Sequence, residues 1–369
     1  MAGVAVAVVL AGHTAAWAQA RFYVIPTFRV AEEFDDNVFV TSTNKLSDLI
    51  TRFPPGVELG YRSEPFTLLA RSSFDAEVFV DNSQLNDVAA RKRAAVELKY
   101  LPYHLLALDL DLSYIETTTP SGLLGTAGLQ FARTNATELV VAPAALYQFT
   151  PSDSGRFGYS FIRDTIEGGP TDYTHRIEPS FAHRFTPLDT GALHYRGSVF
   201  ETGGARTVTS HAAMVAWVRQ LTPVTYLTLR GGPRVDDDGS VQPEVYARLD
   251  HAIRFAKLGL EYVRTNGILL GHPGPVEVES VSGSVEFEPL KLLTVKVEPT
   301  YSRVFGGVLK TTPTTRAYGL AASAAYPLTA WLTARLAYRF SFQEQPGPDL
   351  HHNLVTLSLD AGYPFRLGQ

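Results

Sequence analysis

The chain has 369 residues, a formal charge of -5, no cysteine, 29 glycines and 23 prolines. The mildly negative balance argues against a nucleic-acid partner, which needs a basic stripe, and the lack of cysteine excludes disulfides and thiolate metal sites. A soluble chain of this length would normally divide into two domains, yet no linker, charge run or change of composition marks a boundary.

Met1–Leu10 is almost wholly apolar, and Ala16-Trp17-Ala18 and Ala18-Gln19-Ala20 both offer small-x-small cleavage patterns. Residues 1–20 therefore read as a secretory signal peptide, although no Lys or Arg precedes the apolar stretch. His13, Thr14 and Gln19 leave the segment too short for a transmembrane helix. Residues 21–369 are predicted to form one unit.

Within that unit, short turns recur, most of them built on proline: Ser63–Phe66, Leu101–His104, Thr150–Asp153, Thr186–Asp189, Thr222–Val224, Glu288–Leu290 and Pro327–Thr329, with a proline-free one at Phe255–Lys257. Proline suits a tight turn because it fixes φ and has no N–H to leave unpaired. Between them lie wider connections richer in Gly, Asp, Asn and Thr: Asp35–Leu46, Asn82–Ala89, Thr117–Phe131, Glu167–Asp172, Thr202–Ala205, Val235–Ser240, Asn266–Gly274, Phe305–Thr312 and Gln343–Pro348. Short turns at one end and wider loops at the other predict an all-β fold, an antiparallel transmembrane β-barrel of about 18 strands. The average hydropathy of such strands is unremarkable because lipid-facing and lumen-facing residues alternate.

The alternation assigns faces. Leu106, Leu108, Leu110, Leu112 and Tyr114 oppose Asp109, Asp111 and Ser113; Leu293, Val295 and Val297 oppose Lys296 and Glu298; Leu336, Tyr338 and Phe340 oppose Arg335 and Arg339. The polar track predicts a lumen lined by Arg71, Asp75, Glu77, Asp109, Asp111, Arg176, Glu178, Arg196, Arg230, Arg248, Lys296, Glu298, Arg335 and Arg339. Its signs are nearly balanced, against the one-sign ring of a strongly ion-selective pore, and cross-strand pairing that stiffens the wall is the plainer reading. Aromatics ahead of the tight turns, namely Tyr61, Tyr100, Tyr147, Trp217, Phe287, Tyr326 and Tyr363, suggest a girdle at the periplasmic interface with outer-membrane lipid. A soluble sandwich also alternates, but its strands are shorter.

No plug domain precedes the strands, so the lumen is expected to be open. Thr117–Phe131, with Gly122, Gly125 and Gly128, is the one segment long enough to fold inward, and a surface loop is the preferred reading. The histidines at 175, 183, 194, 211, 351 and 352 assemble no Ser/His/Asp set at one depth, so neither catalysis nor a cofactor is expected. Asp236-Asp237-Asp238-Gly239 reads as a solvated turn before a calcium loop.

Asp360-Ala361-Gly362-Tyr363-Pro364-Phe365-Arg366-Leu367 resembles the C-terminal signal read by the outer-membrane barrel insertion machinery, carried by Gly362, Phe365 and Leu367, although Gly368 and Gln369 follow. The opening Phe28-Arg29-Val30-Ala31-Glu32-Glu33-Phe34-Asp35-Asp36-Asn37-Val38-Phe39 resembles the first strand and loop of β-barrel porin proteins found with exopolysaccharide gene clusters. Mid-strand prolines (Val141-Ala142-Pro143, Ile177-Glu178-Pro179, Val297-Glu298-Pro299) are similar too. The resemblance implies a conduit for a secreted polysaccharide, working with a periplasmic polysaccharide export protein, and assigns no functional residue. Two other functions stay open: a general porin for small hydrophilic solutes, and a structural or docking barrel without transport. In each, the protein sits in the outer membrane of a Gram-negative bacterium with both termini periplasmic.

Overall fold

The computed structural model describes residues 21–119, 123, 129–203, 207–270, 274–306, 314–363 and 365–367. The expected signal peptide and the glycines at 122, 125 and 128 lie outside these residues.

Successive strands pair antiparallel, and β1 (Arg21–Asp35) also pairs with β19 (Leu350–Gly362), so the sheet closes on itself. Two of the 20 strand segments are continuations of another. Segments β2 (Asp48–Phe53) and β3 (Gly56–Arg62) form one wall strand, broken at Pro54-Pro55 where the chain has no N–H to donate. The short β20 (Phe365–Leu367) extends β19 along β1. The result is a closed antiparallel barrel of 18 strands. Both described chain ends lie beside the tight turns, since Phe22 pairs with Leu367.

Length and periodicity explain why these segments form a wall. Uninterrupted strands run from 12 residues in β6 (Leu106–Thr117) to 17 in β5 (Asp87–Tyr103), far beyond the soluble norm of about 5–6. Along β11 (Val208–Thr222), Val208, Ser210, Ala212, Met214 and Ala216 are buried while His211, Ala213 and Val215 are exposed. Over the whole wall the exposed face carries large apolar side chains, among them Leu193, Val215, Leu260, Leu336 and Leu357. In water so much exposed apolar surface would be a liability, whereas against lipid it is the required face.

Two turns differ from the sequence reading. Pro102 and Pro289 lie in strands β5 and β15 (Pro275–Leu290), just ahead of their turns, where the register shifts between Tyr100 and Tyr103 and between Phe287 and Leu290. A proline has no ladder donor, and a β-bulge is where a sheet needs none. Gly232 marks a close approach of β12 (Thr225–Asp236) to β11, for a Cβ there would lie 1.9 Å from the Ala213 carbonyl oxygen.

Candidate functional site

Ion pairs and hydrogen bonds between non-adjacent strands identify the enclosed face. Arg133, ahead of β7 (Ala136–Gln148), reaches Glu77 on β4 (Phe66–Phe79) at 3.1 Å. Arg196 on β10 (Asp189–Thr202) bonds Glu244 on β13 (Val241–Ile253), and Asn266 on β14 (Ala256–Ile268) donates to Ser210 Oγ on β11 at 3.1 Å. Such contacts can cross only the inside of a barrel.

Followed strand by strand, the registers put Arg71, Asp75, Glu77, Asp109, Asp111, Arg176, Glu178, Arg196, Arg230, Arg248, Lys296, Glu298, Arg335 and Arg339 on that same face. Many are paired. Arg71 joins Glu58 and Glu97, both at 2.9 Å; Arg248 joins Asp250 at 2.8 Å and Glu261 at 3.1 Å; Lys296 joins Glu298 at 2.8 Å. Arg335 meets Asp360 at 3.4 Å. Among the described residues Arg176 bonds only the Ser198 hydroxyl, at 3.4 Å, and Arg230 lies over the Tyr246 ring at 5.4 Å.

Two buried ion networks brace the wall. In the first, Glu77 is shared by Arg52 at 2.9 Å, Arg91 at 3.2 Å and Arg133 at 3.1 Å, and Arg52 also bonds Glu33. The Glu77 side chain is 0% exposed, so each carboxylate oxygen needs a protein partner. In the second, Arg234 is held by Asp236 at 3.3 Å, Glu244 at 3.0 Å and Glu277, and Arg196 by Glu178 and Glu244. Arg52, Arg91 and Arg234 share the alternation that singled out Arg71 and Arg230, so the period of two could have found them. Arg133 lies in a loop, where that period carries no information.

The expectation of an open lumen is corrected here. Leu129 is 3% exposed and packs with Leu269, Leu270, Val276, Val304 and Ala317, from the opposite side of the barrel. The Gln130 backbone N–H donates to Gln343 Oε1 on β18 (Leu332–Glu344) at 2.8 Å, while Arg133 is anchored on Glu77. The described part of the candidate inward loop therefore crosses the interior. Leu269 and Leu270 meet it because β14 leaves β13 after Arg264 and its hairpin with β15 bends inward, where the Gly274 N–H donates to the Thr202 hydroxyl at 3.3 Å. Apolar residues in a loop have no reason to stay in water when another apolar loop faces them.

Among the cavities around this crossing are two bordered by charged side chains. One, about 290 Å³, is bordered by Glu138, Asp164, Arg176, Arg196, Arg230 and Tyr246. The other, about 1150 Å³, is bordered by Glu33, Asp75, Arg91, Arg93, Arg335 and Arg339. Leu123 borders both.

On the opposite face, at the tight-turn end, stand Tyr61, Tyr100, Tyr147, Trp217, Phe287 and Tyr326. Tyr61 packs on Phe66 with ring centroids 5.9 Å apart, and Tyr363 on Phe365 at 5.2 Å. Gly362, Phe365 and Leu367 pair with Thr27, Val24 and Phe22 of β1. His175 and His211 also lie on the outer face, each hydrogen-bonded to a tyrosine hydroxyl, of Tyr159 at 2.8 Å and of Tyr195 at 2.7 Å. Asp35, Asp36 and His352 bring ligand atoms within 4.8 Å of one another, but they are engaged with Asn37, Asn353 and Gln130.

A closed 18-strand barrel with an apolar outer band and a charged interior has the fold of an outer-membrane β-barrel protein. The chain is similar in structure to Pseudomonas aeruginosa OpdQ, with a TM-score of 0.51 and 12% identity over 95% of this chain and 100% of that one. It is similar to OccK7 (OpdD) of the same organism at 0.52 and 11%, covering 95% and 100%, and to its outer membrane protein OpdK at 0.50 and 11%, covering 94% and 99%. No protein-family model matches the chain, and no curated protein matches it in sequence.

Proposed function

We propose that the protein is an outer-membrane channel for small hydrophilic solutes. The observation that carries this reading is the crossing of the lumen by Leu129–Arg133 against Leu269 and Leu270, which leaves chambers bordered by charged side chains. Constriction by an inward-folded segment sets a size limit suited to small solutes, and the paired charges keep the passage wet. A conduit for a secreted polysaccharide, which the likeness of Phe28–Phe39 implies, asks instead for a clear bore. In this reading the tight turns and both chain ends face the periplasm, the turn-side aromatics meet lipid headgroups, and Gly362, Phe365 and Leu367 present the C-terminal strand to the insertion machinery.

Planar-bilayer conductance of the purified full chain, with liposome swelling in sugars of increasing size, tests the proposal. Stepwise conductance and a sharp size cut-off are expected. A silent bilayer sinks the channel reading, and free passage of long oligosaccharides restores the polysaccharide conduit.

A further inference from the structure

We infer that the smaller chamber is a binding site for extended zwitterions: an ammonium and a carboxylate at the two ends of a short aliphatic spacer. The inference rests on the channel reading above and names the solute class.

Three successive inward rows make the case. Nearest the loops, Glu138, Asp164 and Asp172 are direct cross-strand neighbours on β7, β8 (Asp153–Ile166) and β9 (Thr171–Arg184). Glu138 and Asp164 have no ion pair or hydrogen bond among the described residues, and Asp172, itself 1% exposed, has no cation beside it there, its one polar neighbour being the Thr202 hydroxyl. Like charges set opposite one another oppose folding, and with no cation beside this row among the described residues the repulsion is relieved either by protonation or by a positive group that enters the chamber. The next row sets two large apolar side chains on the chamber, Ile162 and Phe200, one on either side of Thr174. Beyond it stand Arg176, Arg196 and Arg230.

Charge bookkeeping within the chamber separates its ends. Glu178 and Glu244 are taken by Arg196, whereas Arg176 and Arg230 have no carboxylate within ion-pair distance among the described residues. Along β9, Asp172 and Arg176 are four residues apart, or about 13 Å along an extended strand. The reach of the arginine side chains shortens that gap to a span of several methylenes. An ammonium at the Glu138–Asp164 end gains charge-assisted hydrogen bonds, a carboxylate at Arg176 and Arg230 gains the same, and the spacer lies against Ile162 and Phe200. A simple anion or a simple amine satisfies one end only.

Three probes sharing one carbon chain test this on the full-length protein in planar bilayers: 6-aminohexanoate, hexanoate and hexylammonium. 6-Aminohexanoate is expected to half-block the current at about a tenfold lower concentration than either of the others, the effect of one added charge-assisted bond. The double variant Glu138→Gln/Asp164→Asn, which removes like-charge repulsion, should bring 6-aminohexanoate to the level of hexanoate and leave hexanoate unchanged. Arg176→Gln should weaken 6-aminohexanoate and hexanoate together and spare hexylammonium. Equal block by all three in a conducting wild-type protein overturns the zwitterion site and leaves the channel standing. A loss of 6-aminohexanoate block in both variants with no change for its analogues points to distortion of the wall and likewise overturns the assignment. Absence of conductance overturns the channel reading and this one with it.

Discussion

Asp36 and Asn353 clasp each other across the seam where the barrel closes. The Asn353 backbone N–H donates to Asp36 Oδ1 at 2.7 Å, its Nδ2 to Oδ2 at 2.6 Å, and the Asp36 N–H returns a bond to the Asn353 carbonyl at 3.1 Å. The neighbours repeat the pattern: His352 Nε2 meets Asp35 Oδ1 at 2.8 Å, and Asn37 Nδ2 donates to the His351 carbonyl at 3.1 Å. Three consecutive residues, the last of β1 and the two that follow it, thus grip three at the start of β19. The Asp-Asp-Asn run that marks the family resemblance has this seam as its local environment.

Asp36→Ala removes both side-chain bonds of that clasp. A loss of about 1–3 kcal/mol is expected, with the unsatisfied Asn353 amide as its main cause. It should appear as a lower temperature for the shift from folded to unfolded mobility in detergent gels. An unchanged transition would show that the seam is held by its backbone ladder alone.

Glu77→Gln strikes the centre of the first ion network. Arg52, Arg91 and Arg133 lose their shared anion in a place where the carboxylate side chain is 0% exposed. A destabilisation of about 3–5 kcal/mol follows from leaving buried charge unpaired. Because Arg133 anchors the crossing segment, conductance should also rise. Arg133→Gln should release that segment at a lower cost in stability, since Glu77 then keeps two arginines. Higher stability in Glu77→Gln than in Arg133→Gln contradicts this account.

Gly232→Ala tests the close approach of β12 to β11. Its Cβ would fall 1.9 Å from a backbone oxygen, which cannot swing aside as a side chain can. The wall must shift, at a cost of about 1–3 kcal/mol, and lower thermal stability with unchanged overall β content is the expected result. By contrast, Gly231→Ala points the other way, with its nearest contact at 3.4 Å, and should be tolerated.

Orientation can be read with an epitope tag after Gly168, a loop glycine at φ 74° with open space around it. On intact cells the tag is expected to bind antibody, while one placed after Pro187 in a tight turn should bind only after permeabilisation. The reverse pattern inverts the barrel.

Strand number, turn positions and the two faces were legible because each rests on local chemistry: a period of two, and prolines at the ends of strands. Even the errors were small there, as Pro102 and Pro289 occupy bulges beside their turns. The interior was much less legible. The charged tracks named Arg196 and Glu178, but the pairing of Arg196 with Glu244 depends on how non-adjacent strands face each other. The crossing segment was hidden for the same reason, since Leu129 meets Leu269 and Leu270 only once the wall has curved. The Leu269-Leu270 pair, two large apolar residues within the wide connection Asn266–Gly274, is the available signal. Arg133, whose guanidinium sits 5.1 Å from the centre of the Phe79 ring, has no such mark, because it lies in a loop.

The apolar knot of Leu129, Leu269 and Leu270 has an electrical consequence. In the proposed channel this dry obstruction is an insulator, and the proposal that ions pass by each of the two charged chambers makes them conductors in parallel, each with its own resistance. Filling one chamber removes that branch's share of the current and leaves the other branch carrying ions. A saturated protein should therefore settle at a sublevel above zero, and the height of that sublevel measures the chamber left empty.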